Sequence, residues 1–377
     1  IRIQTGLYEE AVTNTALQEL TIEGGYAPGW TRDLRNASTT IRPPSNKLPC
    51  VYINNVNSNV VKGLVLTGGN YGIVAYGQSG RRDSAGAGGH AGCAARNHRL
   101  VSLVITNNVS HGIEGNKQMI NGVRVISSLI AFNGGNGANF GGDTTSPSYI
   151  QNCTVVSNKG YGVYFAGGSY TYFEARNSII ACNGNIDLYN GHYEQTVGYC
   201  CLFREDDAKK TSACSGGYFN IGGNLFGDPQ LNADFSLKPT SPCIGAGYDF
   251  SNYTPYPELE DLYGQPWNGT YDIGAIKSGV TPEKSDDVYV EDGEDLQLAV
   301  SRCNENGTVH VAAGEYAGPV SITAKGIKVI GAGPGKSVIR GVDTGADSDL
   351  ASTYAVHLAG TGAMLAGFTD YSSIQAM

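Results

Sequence analysis

The sequence predicts an all-β protein of the parallel β-helix type, a solenoid with about 25 residues in each coil. Three observations predict it: an ungapped 25-residue repeat, short β-branched runs, and 53 glycines among 377 residues, roughly twice the ordinary frequency. A unit of this size cannot bury its apolar face alone, so its copies must stack on one another. The expected rise between coils is the interstrand distance of about 4.8 Å.

The repeat is visible in four consecutive segments. They are Val104–Ile113, Leu129–Ala138, Thr154–Val163 and Ile179–Leu188, each 25 residues after the one before. An Asn recurs at positions 108, 133, 158 and 183, and a Gly recurs at 112, 137 and 162, where the fourth copy has Asp187. An earlier copy, Gly63–Ile73, precedes the first by 40 residues, which indicates a 15-residue insertion around Gly77–Gly92. No copy contains the run of helical periodicity that an amphipathic helix would show.

Residues at equivalent places in the repeat predict columns along the stack. Two inward aliphatic columns are expected, Ile105, Ile130, Val155 and Ile180, and Ile113, Ala138, Val163 and Leu188. The four Asn fall at a corner, where Asn tolerates the left-handed conformation and its amide can bond along the stack. We interpret them as structural. An outward apolar column, Val104, Leu129, Thr154 and Ile179, needs cover, which the Gly77–Gly92 insertion or the 204–260 segment can supply.

Residues 204–277 are expected to cap the open end of the stack. Their glycine- and proline-punctuated motifs are NLFGDPQL at Asn224–Leu231, FSLKPTSPCIGAG at Phe235–Gly247, DLYGQP at Asp261–Pro266 and YDIGAI at Tyr271–Ile276. A final coil would otherwise present an unpaired strand edge.

The repeat over residues 1–203 resembles the right-handed parallel β-helix proteins of the pectate-lyase-like superfamily. The order of the closing motifs is similar to the C-terminal region of bacterial surface proteins of the choice-of-anchor Q type. The resemblance implies a right-handed parallel β-helix over residues 1–203, a capping segment over residues 204–277, and an extracellular or cell-surface location.

Residues 288–377 are predicted to begin a second β-helix after a polar linker at residues 278–287. Val309–Tyr316 matches Ile1–Tyr8 at an offset of 308 residues. A short helix at about residues 294–303 would place Leu296, Val300 and Cys303 on one face, and the resemblance implies that it caps the second copy. The first copy lacks this N-terminal cap, so we expect a window on a larger protein whose tandem β-helix domains are partners of this one. The alternative is one domain whose tail supplies extra coils.

Composition argues against several classes of function. Lys plus Arg number 25 against 34 Asp plus Glu, a formal charge of −9, whereas nucleic-acid-binding surfaces are normally basic. No stretch approaches the roughly 20 apolar residues of a membrane span. The nine Cys include no CxxC pair and no Cys/His cluster, so no metal ligand or cofactor is predicted. Their odd number leaves the disulfide pairing open.

No catalytic residue is predicted. A lyase of the resembled superfamily needs clustered carboxylates for Ca²⁺ beside an Arg or Lys base, and a hydrolase needs Asp residues on adjacent coils. The carboxylates between residues 60 and 200 neither pair within a coil nor align at the 25-residue spacing. His111-Gly-Ile113 also occurs in polygalacturonase-type hydrolases, but their upstream Asp pair is missing here. The acidic runs Glu205–Asp207 and Asp286–Asp287 are candidates only for loosely bound Ca²⁺.

A glycan is the candidate ligand. Tyr161 and Tyr164 lie in one coil and Tyr189 in the next, and Glu114 and Asn139 precede Tyr164 in the same column. Tyrosine rings stack on sugars, and their hydroxyls add hydrogen bonds. Together with Arg124, which aligns with Arg99, these residues form the predicted substrate-binding surface. The alternative is a tyrosine ladder that only shields neighbouring coils.

The predicted function is therefore a non-catalytic extracellular module of a larger surface protein, acting as a spacer or an adhesive scaffold that binds glycans. Two alternatives stay open. One is a polysaccharide lyase or glycoside hydrolase acting on an acidic polysaccharide, which a carboxylate cluster on adjacent coils would favour. The other is a piece of a viral fibre or tailspike, which a trimer-forming interface would favour.

Overall fold

The computed structural model describes residues 1–54, 56, 58–76, 98–115, 123–142, 148–167, 173–190, 195–203, 214–215, 219–250, 260–267, 269, 271–280, 282–318, 320–340, 355–358, 360–370 and 374–376. The Gly77–Gly92 insertion and the acidic run Glu205–Asp207 lie outside these residues.

The described strands before residue 223 form three parallel sheets along one stack. Sheet A contains β1 (Arg2–Gln4), β4 (Thr21–Tyr26), β7 (Val60–Lys62), β10 (Arg99–Val101), β13 (Arg124–Ile126), β16 (Ser148–Gln151), β19 (Phe173–Arg176), β22 (Gln195–Gly198) and β25 (Phe219–Gly222). Sheet B contains β2 (Gly6–Tyr8), β5 (Thr39–Ile41), β8 (Val65–Thr67), β11 (Val104–Thr106), β14 (Leu129–Ala131), β17 (Thr154–Val156), β20 (Ile179–Ala181) and β23 (Cys201–Phe203). Sheet C contains β3 (Val12–Asn14), β6 (Val51–Asn54), β9 (Ile73–Tyr76), β12 (Ile113–Gly115), β15 (Ala138–Gly142), β18 (Val163–Gly167), β21 (Leu188–Asn190) and β24 (Cys214–Ser215).

The chain visits sheets A, B and C in turn, and each strand pairs in parallel with the strand one coil away. This is a parallel β-helix, and the predicted fold class is confirmed. The register follows the 25-residue repeat, since Ile105 lies opposite Ile130 and Ile130 opposite Val155. Strands β24 and β25 continue the coils beyond residue 203, where the sequence predicted that the capping segment begins.

The predicted inward columns form the core of the stack. Ile105, Ile130, Val155 and Ile180 are fully buried, as are Ile113, Ala138, Val163 and Leu188, and all belong to one apolar cluster. Both predicted ladders are therefore confirmed. Because the side chains of a strand alternate between its faces, the neighbouring residue on each side points outward.

The four repeated Asn form a continuous buried ladder. The amide Nδ2 of Asn108 donates to Oδ1 of Asn133 at 2.9 Å, Asn133 donates to Asn158 at 2.9 Å, and Asn158 donates to Asn183 at 3.0 Å. The left-handed conformation belongs to the residue before each ladder Asn rather than to the Asn itself, with φ between 55° and 57° at Asn107, Phe132, Ser157 and Cys182. The residues that follow the strands of sheet A, such as Ser127 with φ 47°, adopt the same conformation. The ladder Asn are thus selected for their amide bonds.

The repeated Gly are required by this ladder. A Cβ on Gly137 would lie 2.8 Å from Nδ2 of Asn158 and 2.6 Å from the carbonyl oxygen of Gly162. The same overlap would arise at Gly112 and Gly162 with Asn133 and Asn183. The amide of the following coil therefore occupies the space that a side chain would need.

The described part of residues 224–276, which carries the closing motifs and is called the closing segment below, covers the outward face of sheet B. Leu129, Ile179 and Cys201 pack against Leu225, Leu237, Cys243, Ile244, Ile273 and Ala275 in a second apolar cluster. The backbone N–H of Ala275 donates to Oγ1 of buried Thr154 at 3.0 Å. The prediction that the outward apolar column needs cover is confirmed, and the cover comes from within and beyond the 204–260 segment.

A second set of parallel sheets follows. Sheet D contains β26 (Ser285–Val290), β27 (Cys303–Val311), β30 (Lys328–Gly331) and β33 (Met364–Ala366). Sheet E contains β28 (Gly314–Ala317), β31 (Ser337–Arg340) and β34 (Thr369–Asp370), and sheet F contains β29 (Val320–Ile322), β32 (Val356–Leu358) and β35 (Ile374–Ala376). Strand β26 begins inside the predicted linker.

A short helix, α1 (Leu296–Ser301), precedes β27. Its N-cap is Asp295, whose Oδ1 accepts from the backbone N–H of Leu298 at 3.0 Å, the usual way to satisfy a free helical N–H. Leu296, Val300 and nearby Cys303 are buried in the core of this second set of sheets. No helix in the described part of the chain has the length and hydropathy to cross a membrane.

Candidate functional site

The outward face of sheet C carries the polar and aromatic residues that the sequence singles out. The register places Glu114 opposite Asn139, Asn139 opposite Tyr164, and Tyr164 opposite Tyr189. The turn before each strand adds a second column, in which His111 and Tyr161 lie one residue before the tight glycines Gly112 and Gly162. We call the six residues His111, Glu114, Asn139, Tyr161, Tyr164 and Tyr189 the sheet C surface.

A buried carboxylate lies at one end of the sheet C surface. Glu114 is 4% exposed, and its Oε2 accepts a hydrogen bond from Nδ2 of Asn139 at 2.9 Å. Nε2 of His111 lies 3.7 Å from the same oxygen. Oδ1 of Asn139 is buried and accepts no hydrogen bond from the described residues.

The contacts of His111 fix where its proton lies. Nδ1 accepts from the backbone N–H of Asn136 at 2.8 Å, so the proton of the neutral ring is on Nε2, facing Glu114. Burial lowers the pKa of His111, and the nearby Glu114 carboxylate opposes this only in part. The imidazole is therefore neutral at physiological pH, and neither nitrogen is free to accept a proton from a substrate.

Three tyrosines form a cluster at the other end of the sheet C surface. The rings of Tyr164 and Tyr189 stack with centroids 5.0 Å apart and an interplanar angle of 3°. The ring of Tyr161 tilts against both, at 5.1 Å and 5.2 Å. Each side chain is half-buried. Since Tyr164 and Tyr189 turn their faces to each other, edges and hydroxyls are what they offer to solvent. Burial, with smaller contributions from Tyr189 and Tyr161, raises the pKa of Tyr164, so its hydroxyl is a neutral donor.

Arg124 is not brought together with the other predicted residues. It lies on β13 of sheet A, in register between Arg99 and Tyr149, and it is 7% exposed. Its guanidinium carbon is 5.3 Å from the centre of the Tyr149 ring. The 25-residue spacing correctly aligns Arg124 with Arg99, but this column belongs to another side of the coil.

The acidic run Asp286–Asp287 is engaged with neighbouring side chains. Oδ1 of Asp287 lies 2.8 Å from Nε2 of His310, and Oδ1 of Asp286 accepts from Nδ2 of Asn304 at 2.9 Å. In the residues that the structure describes, no three His, Cys, Asp or Glu side chains gather as a metal site would require.

Two residues join this surface that the sequence did not assign to it. They are His111, whose Nε2 lies 3.7 Å from Oε2 of Glu114, and Tyr71, whose ring packs against that of His111 with centroids 5.8 Å apart. Tyr71 precedes His111 by 40 residues, the offset between the earlier copy and the first regular one. That offset was the signal in the sequence that could have found it.

No protein-family profile and no curated protein matches this chain. Two solved structures resemble it. Pectate lyase Pel9A aligns at 13% identity over 73% of this chain and 87% of its own, with a TM-score of 0.39. The PL6 family alginate lyase AlyGC aligns at 11% identity over 97% of this chain and 68% of its own, with a TM-score of 0.17. At such identities the similarity concerns the fold, and function has to be argued from this chain's own side chains.

Proposed function

We propose that the chain is a non-catalytic, extracellular β-helix module that binds a glycan on the sheet C surface. The observation that carries the proposal is the cluster of Tyr161, Tyr164 and Tyr189, three half-buried tyrosines of which two lie in one coil and one in the next. Their edges and hydroxyls come from two neighbouring coils, so they suit the neighbouring hydroxyl groups of a sugar.

The chemistry of His111 argues for binding over catalysis. A general base needs a free acceptor near the proton that it removes, whereas both nitrogens of His111 face internal partners. The raised pKa of Tyr164 keeps its hydroxyl protonated, so less of the phenolate that could act as a base is present. Among the described residues of the sheet C surface, the lyase or hydrolase alternative would have to act through the His111–Glu114 pair after both side chains had moved.

The location and the tandem arrangement are part of the same proposal. The closing motifs, which are similar to those of bacterial surface proteins, support an extracellular or cell-surface position. The second set of sheets supports a second β-helix unit because details of the first set recur in it. A Cβ on Gly331 would overlap the Gly367 carbonyl, as a Cβ on Gly24 would overlap the Gly63 carbonyl. The hydroxyl of Tyr316 also donates to the carbonyl four residues earlier, as that of Tyr8 does.

Glycan-array binding by the wild type and by Tyr161→Phe, Tyr164→Phe and Tyr189→Phe tests the proposal. These variants keep the ring cluster and remove only hydroxyls, and each lost hydrogen bond is expected to weaken binding about 3- to 10-fold. The matched control is Tyr289→Phe, which changes a 70% exposed tyrosine of the second set of sheets. Equal binding by all five proteins, or no binding by the wild type, would refute the proposal.

The same preparations would be incubated with acidic and neutral polysaccharides. We expect neither unsaturated products nor new reducing ends. Products that disappear in His111→Ala and Glu114→Gln would replace the binding module by the lyase or hydrolase alternative.

A further inference from the structure

Two buried cysteines from distant parts of the chain meet where the closing segment lies on sheet B. Cys201 begins β23 in the outward column of that sheet, and Cys243 belongs to the closing motif Phe235–Gly247. Both are 0% exposed and belong to the same apolar cluster. Both are free thiols in the structure, and the side chain of Cys243 lies within interaction distance of the Cys201 thiol. We propose that Cys201 and Cys243 form a disulfide that fastens the closing segment to the coils.

The other buried cysteines of the stack have a different setting. Cys50, Cys153 and Cys200 point inward in the main core, and each thiol donates to a backbone carbonyl, those of Thr67, Gln151 and Gly198. Inward cysteines of this kind behave as small apolar side chains. Cys201 also donates to a carbonyl, that of Gly227 at 3.2 Å, but its sulfur contacts a second sulfur from a separate segment. A disulfide needs such a pairing of sulfurs.

The bond must form before the closing segment has settled on sheet B. The surrounding side chains, including Leu129, Ile179 and Ile273, are apolar and buried. The contact with Cys243 and burial raise the pKa of Cys201 well above its usual value, so the covered pair holds almost none of the thiolate that exchange requires. For the same reason, a reductant cannot reach the bond once the protein has folded.

The oxidant is a disulfide donor of the thiol–disulfide oxidoreductase class, as found in exporting compartments. The thiolate of one cysteine attacks the donor disulfide, which forms a mixed disulfide and releases one donor thiol. The thiolate of the second cysteine then attacks the mixed disulfide, which forms the Cys201–Cys243 bond and releases the second donor thiol. Two protein thiols are oxidised, one donor disulfide is reduced, and both protons leave with the donor thiols.

Peptide mapping of the full chain tests the proposal. The chain would be exported to the periplasm of a bacterial host, unfolded with an alkylating agent but without reductant, digested and analysed by mass spectrometry. We expect a linked pair of peptides, two hydrogen atoms lighter than their sum, that contains Cys201 and Cys243. It should be absent from Cys201→Ser and Cys243→Ser and present in Cys200→Ser. Alkylation of both cysteines in the wild type, or a link from Cys201 to any other cysteine, would overturn the proposal.

A stability measurement provides a second test. The link would close a loop of 42 residues, the difference between positions 243 and 201, and such links stabilise chiefly by restricting the unfolded chain. We expect Cys243→Ala to lower Tm by about 5–10 °C more than Cys153→Ala, which removes a comparably buried sulfur. Cys201→Ala combined with Cys243→Ala should cost little beyond the first change, because the bond is lost only once. Additive losses would overturn the proposal.

Discussion

The carboxylate of Asp187 terminates the asparagine ladder by taking the place of the next amide. Its Oδ1 accepts from Nδ2 of Asn183 at 2.8 Å and from the backbone N–H of Asn183 at 2.9 Å. One coil earlier, Oδ1 of Asn183 accepts the same two bonds from Asn158, at 3.0 Å and 3.1 Å. This explains why the fourth copy departs from Gly at this position. No ladder amide of a further coil fills the space among the residues that the structure describes, so a side chain fits and serves as the acceptor.

Replacing Asp187 with Gly, the residue of the other copies, should destabilise the protein. Asn183 is buried, and two of its donors would lose their acceptor, so we expect the free energy of unfolding to fall by about 2–3 kcal/mol. Urea unfolding measures this difference. Asn185→Ala, at an exposed Asn two residues earlier, is the control and should change stability little. Equal stability of the two variants would contradict the role given to Asp187.

The inward ladder should show the cost of a cavity. Ile130 is fully buried between two coils, so Ile130→Ala should lower the free energy of unfolding by about 2–5 kcal/mol. Val109→Ala, at a side chain 55% exposed, provides the matched apolar truncation at the surface. A similar effect of both changes in urea unfolding would argue against the inward placement of Ile130.

The contact between sheet B and the closing segment can be tested at one hydrogen bond. Thr154→Val keeps the shape of the side chain but removes the acceptor of the Ala275 N–H, which is buried at this contact. We expect a loss of about 1–3 kcal/mol in the free energy of unfolding, together with faster amide exchange at Ala275. Thr106→Val, at a half-exposed threonine of the same sheet, should leave exchange at Ala275 unchanged. Unchanged exchange in Thr154→Val as well would contradict the contact.

Stability should fall in acid partly through Glu23. Burial by itself raises the pKa of Glu23, but hydrogen bonds from Lys62 and Tyr26, with the charges of Lys62 and Arg32, lower it below its ordinary value of 4.5. A carboxyl with a lowered pKa in the folded state stabilises the protein above that ordinary value and loses the effect as pH falls through the folded pKa.

We therefore expect Glu23→Gln to be less stable than the wild type at neutral pH and to differ less from it at about pH 3. Urea unfolding at the two pH values checks this, with Glu305→Gln at an exposed position as the control. A difference that stays constant with pH would exclude Glu23 as the titrating group.

The repeat predicted which residues share a column along the stack better than it predicted which columns lie side by side around a coil. A fixed spacing shows which residues share a column, and for this reason the Ile105 column and the column from Glu114 to Tyr189 could be read from the sequence. Spacing does not reveal which columns face each other around a corner. That depends on turns such as Asn107, whose left-handed φ has no compositional signature, because Phe132 and Cys182 serve the same role.

Arg124 shows the same difficulty. It lies only ten residues after Glu114 in the sequence, but Glu114 belongs to a strand of sheet C and Arg124 to a strand of sheet A. The contact of Cys201 with Cys243 was also beyond prediction, because the closing segment follows no repeat.

Because the internal rungs of the Asn ladder are equivalent, the stack can gain or lose whole coils between its two ends. Each internal rung, from Asn133 to Asn158, receives from one neighbour the same bonds that it gives to the next. The two ends differ from the rungs, since Oδ1 of Asn108 accepts from the Gly69 N–H and Asn183 ends on Asp187. Insertion or deletion of a whole 25-residue unit between the rungs would leave both ends intact. A gene encoding such a protein can therefore gain or lose length by unequal recombination within the repeat without having to evolve a new terminus.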